Sequence, residues 1–126
     1  MSPRSYDVAN PPSAEDWLAM DEAERIAAVQ EHHRRTRSPT GENPMVHATI
    51  HVVVENQLAE GLPGIVRAYD RFRAAGVDRH TTIHALASVV TRHMMAILET
   101  ATTWDQAAAD RDFDALHPAA FQKRKR

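Results

Sequence analysis

Cysteine is absent from the 126 residues, which excludes disulfides, thiolate metal ligation and cysteine nucleophiles. Any metal must be held by nitrogen and oxygen. Glycine is scarce: four residues in all leave no phosphate-cradling loop, and the segment around Ser88 is not a nucleophile elbow. No apolar run approaches the roughly 20 residues of a membrane span. The polar, proline-containing stretch from Met1 to Pro12 does not read as a secretory signal. An excess of one charge is missing too. Fifteen basic and 17 acidic side chains give a net −2, so there is no general attraction for nucleic acid or an anionic membrane. The local exception is the tail Lys123-Arg124-Lys125-Arg126. The expectation is a cytoplasmic protein that binds neither membrane nor nucleic acid.

Strand signals are nearly absent as well. His51-Val52-Val53-Val54 is β-branched, but it lies inside a longer helical register with its own start and stop residues. Helix punctuation is abundant by contrast. Ser13 with Asp16, and Asp21 with Glu24, are start signals for a short helix and for a longer one reaching about Arg37. Residues 38–43 are loop chemistry, and Asn43-Pro44 opens a helix that Gly61 stops. Pro63 opens the next, Gly76 ends it, and Asp78 caps a long helix over about 79–99. Thr103 with Gln106 predicts a last short helix from Trp104. The chain therefore reads as all-α: a small up-and-down bundle of about four main helices plus short terminal ones. Residues 13–116 form a single domain in this reading, between a flexible segment (1–12) and a flexible basic tail (117–126).

Two histidine pairs at one-turn spacing, His47-x-x-x-His51 and His80-x-x-x-His84, lie in the two most apolar stretches, and Glu55 extends the first pair by a turn. Residues four apart on a helix share a face, so each pair can aim two imidazoles at one point. At about 100° per residue, His51, Val54 and Leu58 fall within about 40° of His47, with Glu55 about 80° to one side and Gln57 about 80° to the other. The same arithmetic turns His33 inward with Ile26 and Val29, and turns His32 and His93 outward. Short loops favour antiparallel neighbours. His33, His47, His51, His80 and His84 are then expected at one end of the bundle, with Glu55 a turn deeper.

Zinc or iron needs three or more convergent donors at roughly 2.0–2.2 Å, which facing i, i+4 pairs can provide. A divalent transition metal on His47, His51, His80, His84, His33 and Glu55 is the leading expectation. Glu55 could be a ligand, an acceptor fixing an imidazole tautomer, a general base, or an exposed carboxylate. An open coordination position would permit hydrolytic or oxidative chemistry. Arg34, Arg35 and Arg37 could meet a small anionic substrate, with a solvated basic helix end as the plainer reading. The zinc-protease pattern HExxH is missing from both pairs. The competing class is a non-enzymatic interaction or regulatory module with a hydrogen-bonded histidine core.

The run from Asn43-Pro44 through His47, His51, Glu55 and Gln57, followed by Arg79-His80-Thr81-Thr82-Ile83-His84, resembles the small bacterial family known as domain of unknown function 1841. The resemblance covers about residues 15–98. It extends to Asp16-Trp17, to Asp21, Glu22 and Arg25, and to His33; Leu86-Ala87 departs from an isoleucine-glycine in the family pattern. It implies that these histidines and Glu55 belong together, and it assigns them no activity.

Overall fold

A computed structural model describes residues 6–39, 41 and 43–122; the basic tail 123–126 lies outside the described residues. The architecture is all-α, as the punctuation predicts. Among the described residues six α-helices run in order: α1 (Ala14–Ala19), α2 (Glu22–Thr36), α3 (Pro44–Glu60), α4 (Pro63–Ala74), α5 (Arg79–Thr100) and α6 (Gln106–Asp114). A 3₁₀ turn follows at Pro118–Phe121, and no strand occurs among the described residues. Among the described residues no helix is long and apolar enough to cross a membrane.

The starts are held by the residues that signal them. Ser13 accepts from the Asp16 amide, and Asp21 and Glu24 complete a reciprocal capping box. The Asn43 side chain accepts from Val46 N at 3.2 Å, and Asp78 accepts from Thr81 N at 2.7 Å. Gly61, at φ 72°, takes the left-handed conformation that ends α3. At the end of α2 the same role falls to Arg37, at φ 53°, where a side chain costs about 1 kcal/mol relative to glycine. The last helix departs from expectation. Asp105 rather than Thr103 caps it, accepting from Ala108 N, while Gln106 accepts from the Trp104 indole and donates to Asp110. A carboxylate two residues nearer the helix takes the place of the hydroxyl.

The chain falls into two compact units that divide between Glu60 and Gly61. In the first, α2 and α3 are antiparallel. Arg25 at the start of α2 reaches Asn56 late in α3 at 2.9 Å, and His33 near the end of α2 meets His47 and His51 early in α3. Arg25 also donates to the Trp17 and Leu18 carbonyls, closing the end of α1, and Asn56 accepts from the Trp17 indole as well. These three side chains fix the register of all three helices.

The second unit packs α4 alongside both α5 and α6. Arg67 pairs with Asp114, and Arg71 donates to the Phe113 and Leu116 carbonyls, so α4 and α6 run parallel. Gly64 makes the close approach possible: a Cβ there would lie 2.2 Å from the Asp110 carboxylate. Phe72, Val77 and Ala85 form a core that Leu116 and Phe121 close.

Candidate metal centre

α2 and α3 bring His33, His47 and His51 together. One ring nitrogen from each can be chosen so that all three lie within 4.8 Å of one another. The ring centroids form a nearly equilateral triangle with sides of 4.7, 4.8 and 4.7 Å. His47 and His51 face His33 because their one-turn spacing stacks them on the α3 stripe that packs against α2. The α2–α3 loop then sets His33 at their level. His51 is 1% and His33 6% exposed, and His47 is half-buried.

Three imidazoles on a tetrahedral ion at about 2.1 Å stand about 3.4 Å apart. The chosen ring nitrogens, all within 4.8 Å of one another, are spaced on the scale of donors that share one ion. Neutral imidazoles are borderline donors that suit zinc, iron, copper or nickel better than calcium or magnesium.

Glu55, one turn beyond His51, is buried and accepts a 2.6 Å hydrogen bond from the Tyr6 hydroxyl. That removes the exposed-carboxylate alternative. Tyr6 is itself 1% exposed. Its ring meets Trp17 at 5.6 Å and His32 edge-on at 5.4 Å, and Arg35 donates to its carbonyl at 3.0 Å. His32, expected outward, is consequently buried at 5%. Helical phase registers only the α2–α3 contact, whereas Tyr6, ahead of α1, packs on His32 from another side of α2. Tyr6 is a site residue that no motif or helical spacing marks. Its signal was an aromatic followed by Val8 in an otherwise polar stretch.

His80 and His84 lie one turn apart near the start of α5, in the second unit, with ring centroids 4.4 Å apart and both side chains exposed. Arg79 beside them donates to the Tyr69 hydroxyl and sits over its ring. His93, expected on the surface, is partly covered: its Nε2 lies 2.6 Å from Asp112 and its ring meets Trp104. As at His32, another segment packs on the face that helical phase turns to solvent; here it is α6, through Asp112. Gln57 is buried too.

Compared with family models, curated proteins and solved structures, the chain has no match in any of the three.

Proposed function

We propose that the protein binds a divalent transition metal, zinc or iron, in a cytoplasmic setting, with His33, His47 and His51 as its central ligands. The observation that carries this is the single one of three nitrogen donors within 4.8 Å on two packed helices. Several imidazoles are costly to bury, and a shared ion would offset that cost. His80 and His84 are the chain's other nitrogen donors at chelating spacing, and Glu55 is a further oxygen donor. Membership of domain of unknown function 1841 is a proposal of the same standing, resting on Asn43-Pro44 and the two HxxxH elements.

Three protein ligands are the count found in catalytic rather than structural zinc sites, where a fourth position takes water or substrate. Such an ion supplies Lewis acidity for hydrolytic chemistry or, as iron, for oxidation. In this reading Glu55, oriented by Tyr6, is the acid–base group. The Tyr6 bond also supports a second reading, in which Glu55 belongs to an internal polar network of a non-enzymatic module.

Elemental analysis of protein purified without an affinity tag tests the proposal. The expected result is about one equivalent of zinc or iron per chain, absent in His51→Ala. Metal-free protein whose melting temperature does not move on adding zinc or iron would sink the reading.

A further inference from the structure

A cleft of about 330 Å³ opens beside His33, lined by Gln30, His33, Arg34, Arg37, Ser38 and Pro44. All six belong to the first unit. Apart from the imidazole and the proline ring, the side chains here are amide, hydroxyl and guanidinium, and no carboxylate lines the cleft among the described residues. Its volume lies at the small end of the range for organic-ligand sites and leaves an inorganic oxyanion much unfilled space.

The two guanidinium groups differ in availability. Arg34 is committed to Glu31, with its Nε and Nη2 on the two carboxylate oxygens at 2.6–3.0 Å. That bond and the attraction behind it hold Glu31 below its ordinary carboxylate value. Arg37 has no ion pair among the described residues. It also occupies a left-handed backbone position that favours glycine, so nothing in the local backbone asks for arginine there. Ser38 is fixed beside it: its amide donates to the His33 carbonyl at 3.1 Å and its hydroxyl meets Thr36 at 2.5 Å.

We propose that this cleft takes a small organic carboxylate, bound by the Arg37 guanidinium and directed past His33 to the ion held by His33, His47 and His51. The proposal rests on the metal reading above and adds the substrate class. His33 links the two parts, since it is both a wall of the cleft and a corner of the histidine triangle. A planar carboxylate matches a guanidinium fork, and one of its oxygens suits the position that three nitrogen ligands leave open. Pro44 and the arginine stems offer apolar contact for the carbon skeleton.

Cobalt(II) substituted into the full-length protein gives visible absorption that responds to a change of ligand. Succinate should shift that spectrum saturably, inorganic phosphate at least about tenfold more weakly, and neutral succinamide not at all. Arg37→Gln should weaken succinate about tenfold or more with cobalt content unchanged, while Arg92→Gln, an exposed arginine on α5, should bind as the parent does. A cobalt-loaded protein whose spectrum ignores succinate overturns the proposal and leaves the metal reading intact. Phosphate as tight as succinate, or an Arg37→Gln protein that binds succinate normally, overturns it likewise. Protein that takes up no cobalt overturns both readings together.

Discussion

Up to Glu60 the buried side chains include His32, His33, His51, Glu55 and Gln57 beside Val29, Val52 and Val54. From Gly61 onward Thr82 is the single buried polar side chain among the described residues, in the company of Ile65, Phe72, Ile83, Leu86, Val89 and Phe113. Thr82 spends its hydroxyl on the Asp78 carbonyl, a bond within its own helix. The second unit thus has an ordinary hydrocarbon interior. The first carries imidazoles and a carboxylate where hydrocarbon would be more stabilising. The two HxxxH pairs follow the same division: His47–His51 is matched by a third imidazole from α2, whereas His80–His84 is exposed on α5. Identical spacing in sequence stands in two different settings, a pair that faces a third imidazole from α2 and a pair whose side chains are exposed.

The largest expected effect bears directly on that division. His51→Ala should lose nearly all bound metal, whereas the double variant His80→Ala/His84→Ala should keep its tightest equivalent, both read by elemental analysis after dialysis. Equal loss in the two proteins would erase the distinction between the pairs. Gly64→Ala probes the hydrocarbon side. The new methyl must displace Asp110, which should cost about 1–3 kcal/mol in urea unfolding, with metal content unchanged. Tyr6→Phe probes the polar side: removing the donor to a buried carboxylate should cost about 1–2 kcal/mol, and a cost near zero would show that Glu55 does not depend on that bond.

The smallest effect is at the cap of α5. The Thr81 backbone amide, and after it the Thr81 hydroxyl, hold the Asp78 carboxyl below its ordinary value of 3.8. A folded value below the unfolded one means that the ionised cap stabilises fully above the ordinary aspartate range. That contribution is lost as pH falls through the depressed value. Asp78→Ala should therefore cost about 1 kcal/mol at neutral pH. Asp78→Asn should retain most of the stability and show a flatter decline between about pH 5 and pH 3.

Much of this is legible in the amino-acid sequence. The starts at Ser13, Asp21, Pro44, Pro63 and Asp78 and the stops at Gly61 and Gly76 are local chemistry, and local chemistry decides where helices begin and end. The grouping of His33 with His47 and His51 was legible as well, since it needs only helical phase and one short loop. What was not legible came from segments that lie across a helix face. Phase calculated for α2 alone turns His32 to solvent, and only the path of the chain through Tyr6 covers it. His93 was misread for the same reason, through α6. Arg25, which reads as part of a charged first turn, proved to tie α1, α2 and α3 together through three acceptors that no sequence spacing connects.

A protein without cysteine has no covalent means of stapling one helix to another. An ion on His33, His47 and His51 would serve as one between α2 and α3, requiring no oxidation of a side chain and removable by a chelator. Its strength would follow the surrounding free metal, reaching about 2.7 kcal/mol at a hundred times the dissociation constant. The half of the molecule with the more polar interior would then be firm where that metal is plentiful and loose where it is scarce, and its persistence would report the supply.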